Sequence, residues 1–330
     1  MMKIAILDDY LDVVRGLIDW SVLPEGTDIV RFTDHLTDEA ALAERLAPFD
    51  IVLAKRERTP FPRSLLERLP NLKLMVIGRT HNRKIDRAAA EALGILVTGT
   101  ERFGSSAAEL TWGLILSLTR NIPGEDRAVR AGRWHDGLGK TLAGRTLGVI
   151  GLGRIGTKIA RIGAAFDMNV IAWSQNMTPE KASDAGARYV GKEELFREAD
   201  VVTVHVALSE RTHHLIGAGD LSLMKPTAYL VNTARGPIID ETALVAALQA
   251  GAIAGAGLDV FEQEPLPAGH PLRSLNNTIV TPHIGYVTEE SFKGYYQSAL
   301  ENIQAFLTGR PVPRTLNAPA NPRHSYKAAG

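Results

Sequence analysis

Cysteine is absent from the 330 residues of the chain. A chain without thiols cannot form disulfides, thiolate zinc sites or iron–sulfur clusters, and it cannot use a cysteine nucleophile. Any chemistry must therefore come from other side chains.

Net charge is also absent. Lysine and arginine together number 37, and aspartate and glutamate also number 37. A chain with no excess of positive charge has no overall field to hold it on phosphate backbones or anionic lipid. We therefore expect neither a nucleic acid nor a membrane as a partner.

Long apolar runs are missing near the start of the chain. The first apolar stretch, residues 4–7, ends at the carboxylates Asp8 and Asp9. Four residues are too few for the core of a signal peptide and far too few to span a bilayer. The default expectation is a cytoplasmic protein.

The remaining composition is that of a globular protein, with 45% apolar and 22% charged residues. Short apolar runs alternate with segments of helical period, which is typical of parallel sheets covered by helices. In the first half, strands are predicted over residues 4–7, 28–32, 51–54, 74–78 and 95–97, and helices over residues 39–46, 63–69 and 85–93. In the second half, strands are predicted over residues 146–150, 169–173, 201–206, 228–232, 256–259 and 278–281. The predicted fold class is α/β, with two Rossmann-like, doubly wound parallel sheets.

Three further segments complete the predicted organisation. A helix over residues 105–120 is apolar on nearly all sides, which predicts burial between domains or against a second subunit. Residues 132–140 contain three glycines and no apolar period, so they are interpreted as an arm or loop. A last amphipathic helix is predicted over residues 291–307, and residues 317–330 are expected to fray. Only about twenty residues follow Arg310, so no regulatory third domain is expected.

A G-x-G-x-x-G motif lies between a predicted strand and a predicted helix. Gly151 permits the tight turn, Gly153 lets the backbone approach a pyrophosphate, and Gly156 lets helix and strand pack closely. The helix amides near Arg154 and Ile155 would face the anion. The motif in this context predicts a dinucleotide-binding site.

The residue that contacts the adenosine ribose is expected about twenty positions later, at the end of the next strand. Ser174 stands there, followed by Gln175 and Asn176. These side chains can hydrogen-bond a ribose, but they include no carboxylate to repel a 2′-phosphate and no arginine to hold one. NAD and NADP both remain open, and a solvated turn residue is the alternative interpretation of Ser174.

Three polar residues follow separate predicted strands of the second half. They are Arg235, Glu264 and His283. Arginine offers a planar fork for a carboxylate, histidine titrates near neutrality, and a glutamate beside it would orient the ring and raise its pKa. Because open α/β sheets bind ligands at the carboxyl ends of their strands, these residues are the parts needed to move a hydride and a proton together, with a nicotinamide as hydride carrier.

With these residues in place, the chain resembles the D-isomer-specific 2-hydroxyacid dehydrogenases, the family of phosphoglycerate dehydrogenase and of hydroxypyruvate and glyoxylate reductase. The likeness runs from about residue 51 to residue 313. Its motifs occur in the family's order over residues 147–156, 200–205, 224–226, 232–236, 258–265 and 281–285. Several independent motifs in one order are far more specific than any one of them.

The resemblance implies a role for each matching residue. Arg235 would bind the substrate carboxylate and carbonyl oxygen, Glu264 would partner the histidine, and His283 would exchange the proton. The expected cofactor contacts are Gly151, Gly153, Arg154, Ile155 and Gly156 at the pyrophosphate, Ser174 at the ribose, and Thr233, Ala234, Arg235, Asp259, His283, Gly285 and Tyr286 at the nicotinamide. The family's fold further implies that a nucleotide-binding domain, residues 103–290, is inserted into a substrate domain formed by residues 1–102 and 291–330.

The substrate loop departs from the family pattern. The family commonly has a glycine-rich loop, whereas this chain has His81 and Arg83 in place of two glycines. The predicted substrate-binding residues are Arg56, Arg79, Thr80, His81, Asn82 and Arg235. If Arg56, Arg79 and Arg83 converge, the pocket would suit a second anion such as a phosphate, so phosphorylated and unphosphorylated substrates remain open.

Three other histidines, at two places in the sequence, are weaker candidates for a functional role. His205 ends a predicted strand and is interpreted as either a satisfied structural group or a ligand. His213 and His214 are interpreted as an exposed loop pair, at which a metal ion would lack nearby carboxylates. We therefore predict no metal site.

The resulting prediction is an NAD- or NADP-dependent oxidoreductase that transfers a hydride to or from C2 of a small D-2-hydroxy acid or 2-keto acid of the 3-phosphoglycerate, hydroxypyruvate or glyoxylate type. Closure of the cleft between the domains would exclude water. The family's habit and the apolar helix imply a homodimer. The alternatives are an NAD-sensing protein similar to transcriptional co-repressors and a formate-oxidising enzyme, the latter disfavoured because similar formate enzymes have glutamine at the position of Glu264.

Overall fold

The computed structural model describes residues 2–55, 58–80, 82–101, 104, 106–135, 137–324 and 327–328. The chain forms two compact units. The first unit comprises Met1–Gly104 and Thr288–Gly330, and the second comprises Ser105–Val287.

Most elements alternate strand and helix along the chain. The strands are β1 Lys3–Ile6, β2 Asp28–Arg31, β3 Ile51–Ala54, β4 Leu74–Ile77, β5 Leu96–Thr98, β6 Thr146–Ile150, β7 Asn169–Trp173, β8 Arg188–Tyr189, β9 Val201–Val204, β10 Tyr229–Asn232, β11 Gly255–Leu258, β12 Thr278–Val280, β13 Pro311–Val312 and β14 Lys327–Ala328. The α-helices are α1 Val14–Leu17, α2 Glu39–Leu46, α3 Arg63–Leu66, α4 Arg87–Ala92, α5 Ser106–Arg120, α6 Ile122–Arg130, α7 Arg154–Ala165, α8 Pro179–Asp184, α9 Lys192–Glu198, α10 Ala218–Leu223, α11 Glu241–Gln249 and α12 Glu289–Leu307.

The first unit is built on a five-stranded parallel sheet with strand order β2-β1-β3-β4-β5. Every residue of β3 and β4 is buried, as expected for central parallel strands covered on both faces. One face packs on α2, α3 and α4 through residues such as Leu46, Leu65 and Ala89. Helix α12 belongs to the same unit and buries Tyr296, Ile303 and other side chains of one face.

The second unit is built on a seven-stranded parallel sheet with strand order β12-β11-β10-β9-β6-β7-β8. One face carries an apolar cluster that includes Phe196, Leu230 and Ile238. The other face carries a cluster that includes Trp112 and Ile159. The two all-parallel sheets confirm the predicted α/β fold class. Among the described helices, none combines the length and the hydropathy that crossing a membrane requires.

The predicted elements agree with the structure most closely where local signals are strong. Strands β3, β6 and β7 and helix α2 have the predicted bounds. Helix α2 begins after Asp38, whose carboxylate accepts a hydrogen bond from the Ala41 amide. The short elements α1, α6, β8, β13 and β14 were not predicted.

The apolar helix α5 packs within its own unit. Its side chains Trp112, Leu114, Ile115 and Leu118 are buried in the cluster on one face of the second sheet. Packing within the second unit therefore accounts for much of the apolar surface of α5. The sequence predicted that this surface would be buried between domains or against a second subunit.

The expectation that residues 317–330 fray is wrong for residues 317–324. The Asn317 side chain accepts from the Val97 amide at 2.8 Å and donates to the Ile95 carbonyl at 2.9 Å, so it extends the edge of β5. Arg323 donates through Nη1 to the carbonyls of Leu69 at 2.6 Å and Leu72 at 3.0 Å. Composition could not indicate this, because the partners lie more than two hundred residues away in the chain.

These contacts predict a measurable stability. Replacing Arg323 by alanine leaves backbone carbonyls without a charged donor, which should lower the free energy of unfolding by about 1–3 kcal/mol in urea denaturation. The matched control is Arg63→Ala, which removes only an exposed ion pair with Glu67 and should change stability by less than about 1 kcal/mol. Equal midpoints for the two variants and the wild type would show that the segment contributes nothing.

Candidate active site

The glycine turn joins β6 to α7 in the way that the motif predicts. Gly151 has φ of +97°, and a Cβ there would lie 2.8 Å from Val206 Cγ1. A Cβ on Gly156 would overlap the Gly151 carbonyl oxygen. By contrast, a Cβ on Gly153 would meet no described atom within 4 Å. Two glycines are thus required by packing, and the third faces open space.

This open space fits a pyrophosphate. Helix α7 has twelve residues, and Gly153 at its N-cap provides no side-chain hydrogen bond to the amides of the first turn within the described chain. Amides at a helix N-terminus carry partial positive charge and bind phosphate groups. The residues present therefore fit a dinucleotide, which would be held at Gly153, Arg154 and Ile155.

Ser174 lies at the predicted position, directly after β7. The Gly151 amide donates to the carbonyl of Trp173 at 2.9 Å, so the glycine turn and the end of β7 are adjacent. Ser174 is half-buried, and the neighbouring Gln175 side chain donates to the Arg211 carbonyl at 3.2 Å. The geometry suits a ribose contact at Ser174.

His205 closes the other side of the glycine turn. A Cβ on Gly151 would lie 3.1 Å from the His205 carbonyl oxygen. The His205 Nε2 lies 2.9 Å from the hydroxyl of Thr203. Burial lowers the pKa of His205 to about 3, so this imidazole is neutral at physiological pH. The structure thus shows His205 as a hydrogen-bonded group beside the dinucleotide turn.

Arg235 follows β10 in a tight turn that Asn232 holds. The Asn232 side chain accepts from the Ala234 amide at 3.0 Å and donates to the Arg235 carbonyl at 2.9 Å. The half-buried Arg235 donates through Nη1 to the Ala234 carbonyl at 2.6 Å. The asparagine of the Asn-Thr-Ala-Arg motif therefore acts by shaping the backbone that presents the arginine.

Glu264 and His283 are in direct contact. The His283 Nδ1 lies 2.6 Å from Glu264 Oε2, and both side chains are largely buried. The other carboxylate oxygen, Oε1, accepts from the Phe261 amide at 3.1 Å. A carboxylate held in this way fixes the orientation of the imidazole.

Asp259 holds the loop that carries His283. Its Oδ1 accepts from the Thr281 hydroxyl at 2.6 Å and from the Ile284 amide at 2.7 Å, and its Oδ2 accepts from the Gly285 amide at 2.8 Å. Burial raises the pKa of the Asp259 carboxyl, although these three donors oppose the shift. The contacts add a positioning role that the sequence did not indicate for this residue.

The remaining nicotinamide-side candidates lie around the same strand ends. The Thr233 hydroxyl contacts the Thr111 hydroxyl at 2.8 Å, the Gly285 carbonyl accepts from Ser106 at 2.9 Å, and the Tyr286 ring meets the His283 ring edge-on at 5.7 Å. Thr111 was not predicted, because its partner lies 122 positions away in the chain. Strands β10, β11 and β12 are neighbours in the sheet, so Arg235, Glu264 and His283 all follow adjacent strands.

The predicted substrate loop lies in the first unit, after β4. Arg79 adopts a left-handed conformation, with φ of +66°, and its amide donates to the Thr100 hydroxyl at 2.9 Å. Thr80 and Arg83 are exposed. The buried Asn82 accepts from the Lys84 amide at 3.0 Å, while its Nδ2 finds no hydrogen-bond partner within the described part of the chain. Arg56 and His81 lie outside the described residues.

The expectation that His213 and His214 lack a nearby carboxylate is wrong. The ring of His214 lies 3.4 Å from Glu262 Oε1 and stacks on the ring of His213, with 4.0 Å between centroids. His214 has φ of +48°, and this left-handed conformation turns two consecutive side chains to one side. Backbone conformation of this kind leaves no periodic signal in a sequence.

Comparison with known proteins agrees with this architecture. The family model for the NAD binding domain of D-isomer specific 2-hydroxyacid dehydrogenases matches residues 112–285. A glyoxylate reductase of Aeropyrum pernix is 42% identical over 263 residues, which cover 77% of this chain and 78% of that protein. A D-3-phosphoglycerate dehydrogenase of Methanocaldococcus jannaschii is 40% identical over 328 residues, covering 98% of this chain and 61% of that longer protein. A crystal structure of a phosphoglycerate oxidoreductase from Vibrio cholerae O395 superposes with a TM-score of 0.87 and 41% identity, covering 92% of this chain and 98% of that one.

The chain belongs to the D-isomer specific 2-hydroxyacid dehydrogenase family. It is therefore an NAD(P)-dependent oxidoreductase of 2-hydroxy acids, which confirms the prediction from the resemblance. The alternative of a co-repressor-like NAD sensor is not supported, because these relatives are named as reductases and dehydrogenases.

The buried His205 predicts a specific pH dependence of stability. Its folded pKa of about 3 lies below the ordinary value of 6.5, so the unfolded chain binds a proton that the folded chain does not bind as pH falls between these values. The wild type should lose stability over that range by up to about 1.4 kcal/mol per pH unit from this group. A His205→Gln variant should lose this part of the slope when urea unfolding is compared at pH 7 and pH 5. Parallel pH dependence in the two proteins would contradict a buried neutral imidazole.

Proposed function

We propose that the protein reduces small 2-keto acids, or oxidises the matching D-2-hydroxy acids, with His283 as the proton donor and acceptor. The observation that carries the proposal is the 2.6 Å contact between His283 Nδ1 and Glu264 Oε2. With Nδ1 directed at the carboxylate, Nε2 is the ring nitrogen that can exchange a proton with the substrate oxygen. Glu264 would hold the ring so that Nε2 faces the substrate oxygen.

Arg235 is proposed to bind the substrate. Its guanidinium can hold a carboxylate and the adjacent carbonyl oxygen through parallel hydrogen bonds. The Asn232 hydrogen bonds that shape the turn limit the positions it can adopt. When bound, a nicotinamide supplies or accepts the hydride at C2. The side chains of this protein then orient the acid, polarise its carbonyl and move the proton.

The proposed cofactor contacts are those expected from the resemblance: Gly151, Gly153, Arg154, Ile155, Gly156, Ser174, Thr233, Ala234, Arg235, Asp259, His283, Gly285 and Tyr286. The open space above Gly153 and the N-terminus of α7 support the pyrophosphate part of this set. Ser174 carries no charge that would select NAD or NADP. Dependence on a nicotinamide dinucleotide also favours the cytoplasm as the place of action, which cell fractionation would test.

We further propose that the first unit, with limits near residues 1–102 and 291–330, is the substrate domain and that residues 103–290 form the nucleotide-binding domain. The proposed substrate contacts are Arg56, Arg79, Thr80, His81, Asn82 and Arg235. The buried Nδ2 of Asn82 supports this set, because an amide donor with no described partner is costly to bury and a carboxylate oxygen would satisfy it.

The substrate class follows the names of the relatives. Glyoxylate, hydroxypyruvate and phosphohydroxypyruvate are the acids to test, since relatives are named glyoxylate reductase, hydroxypyruvate reductase and D-3-phosphoglycerate dehydrogenase. Oxidation of NADH and of NADPH with each acid would establish both the substrate and the cofactor preference. Absence of turnover with every combination would overturn the proposed function.

The proposed proton transfer is tested by His283→Asn. Loss of the positioned acid should lower kcat by about 10²–10⁴-fold, while the Kd for NADH, measured by fluorescence titration, stays near the wild-type value. Glu264→Gln should lower kcat less, because an amide can still accept one hydrogen bond. A matched control is His270→Asn, since His270 forms a similar contact with Glu241 at 3.1 Å in the same unit. Equal losses in the His270 and His283 variants would contradict a specific role for His283.

We also propose that the protein is a homodimer. Of the nine large apolar residues that are exposed in the described chain, four lie on α6 and the arm that follows it: Ile122, Val129, Trp134 and Leu138. Trp134 is 76% exposed and Leu138 is fully exposed. Clustered apolar surface of this kind marks a protein interface, and the family resemblance implies a second copy as its partner.

The dimer is tested by sedimentation velocity. The wild type should sediment at twice the chain mass of 35.8 kDa, and a Trp134→Asp, Leu138→Asp double variant should sediment as a monomer because carboxylates cannot be buried there unpaired. The control is Tyr10→Asp, Leu11→Asp, which alters an equally apolar exposed pair of the first unit. A monomeric wild type would contradict the proposal.

A further inference from the structure

A buried charge cluster lies at the carboxyl ends of β1 and β3, which are neighbours in the first sheet. Asp8 and Asp9 follow β1 after Leu7 and are 1% and 0% exposed, and Lys55 follows β3 and is 7% exposed. Buried charges of this kind must be paired and hydrogen-bonded. The cluster belongs to none of the roles assigned above.

Asp8 holds both ends of the segment that follows β3. Lys55 Nζ donates to the Asp8 carbonyl at 2.8 Å, and the Thr59 hydroxyl donates to Asp8 Oδ2 at 2.8 Å. Thr59 is itself buried, with 2% of its surface exposed. One residue therefore clamps positions 55 and 59, and between them the sequence carries Arg56 and Arg58.

The clamp is rigid because Asp8 is fixed from other directions. Its Oδ1 lies 2.8 Å from His35 Nδ1 and accepts from the Tyr10 hydroxyl at 3.2 Å. Asp8 adopts a left-handed conformation, with φ of +57°, which turns its carbonyl and its carboxylate toward these partners. A carboxylate that accepts from several donors has little freedom to reorient.

The Lys55 amine has its partners inside the cluster. Its Nζ lies 3.6 Å from Asp9 Oδ1 and 4.9 Å from the centre of the Phe292 ring. Burial lowers the pKa of this ammonium group, and the two carboxylates oppose that shift. The Lys55 amine is thus engaged by partners inside the cluster.

The clamped segment is also bonded to the predicted substrate loop. The Phe61 amide donates to the Lys84 carbonyl at 2.6 Å, the Asp86 amide donates to the Phe61 carbonyl at 3.0 Å, and Lys84 Nζ donates to the Arg58 carbonyl at 3.3 Å. Asn82, with its buried amide, lies at the start of that loop. A displacement at Thr59 would therefore be transmitted to both segments.

We propose that Asp8 and Thr59 are positioning residues for substrate binding, acting by clamping the segment 55–59 and, through it, the loop around Asn82. The inference rests on the proposed function, in which these two segments bind the acid. The clamp touches no reacting atom, so its loss should weaken substrate binding and leave the chemical step alone.

The test is Thr59→Val, which removes the hydroxyl and keeps the shape of the side chain. The KM for the best 2-keto acid should rise by about tenfold, the factor that corresponds to one lost hydrogen bond to a charged group. The kcat and the Kd for NADH should stay within about twofold of the wild type, because the second unit is unchanged. Thr59→Ser restores a hydroxyl and should return KM to the wild-type value.

The matched control is Thr119→Val, which removes a buried hydroxyl that donates to the Ile115 carbonyl within α5. This variant should leave KM unchanged. Asp8→Asn is a second variant, in which circular dichroism melting reports folding and the same increase in KM is expected. An unchanged KM in folded Thr59→Val, or an increase that Thr59→Ser does not reverse, would overturn the inference.

A readout that does not depend on turnover separates the inference from the proposed function. Exchange of the Arg58, Thr59 and Phe61 amides should be faster in Thr59→Val than in the wild type and in Thr119→Val, because these amides lie in the clamped segment or next to it. A wild type that turns over no 2-keto acid would overturn the proposed function. Unchanged exchange in Thr59→Val would overturn the clamp itself.

Discussion

All strands of a parallel sheet end at the same edge, and this constraint assembles the site. Arg235, Glu264 and His283 are far apart in the sequence, yet each follows one of three neighbouring strands, β10, β11 and β12. The same edge carries the glycine turn after β6. The sheet therefore brings a guanidinium, a carboxylate–imidazole pair and an open glycine turn to the loops at one edge, although these residues are far apart in the sequence.

The loop that carries His283 is held in place by a buried, hydrogen-bonded carboxylate. Asp259 is 1% exposed and accepts three hydrogen bonds from the segment that carries His283. A buried carboxylate is unfavourable unless donors compensate for its lost hydration. Because the compensation comes from the loop that carries His283, that loop cannot move without leaving the buried carboxylate uncompensated. The imidazole is thereby held for its contact with Glu264.

Local chemistry predicted much of the fold and the contact between Glu264 and His283. The strand at residues 51–54 is an uninterrupted apolar run, and the spacing of Gly151, Gly153 and Gly156 is that of a strand–turn–helix junction. The features that the sequence did not predict depend on contacts between residues that are distant in the sequence. The Asn317 contacts to β5 and the approach of Glu262 to His214 are contacts of this kind. Spacing along a chain cannot reveal them, because folding alone brings the partners together.

The two sheets differ in what occupies the point at which the strand order reverses. In the first sheet the strand order reverses between β1 and β3, the place where open α/β sheets usually bind a ligand. Here Asp8, Asp9 and Lys55 fill that place with charges that compensate one another. In the second sheet the corresponding reversal lies between β6 and β9. Gly151 and the neutral His205 border it, and the absence of a Cβ at Gly153 leaves room for a diphosphate. Charges that compensate one another thus fill the reversal point of the first sheet, whereas glycine keeps that of the second sheet open.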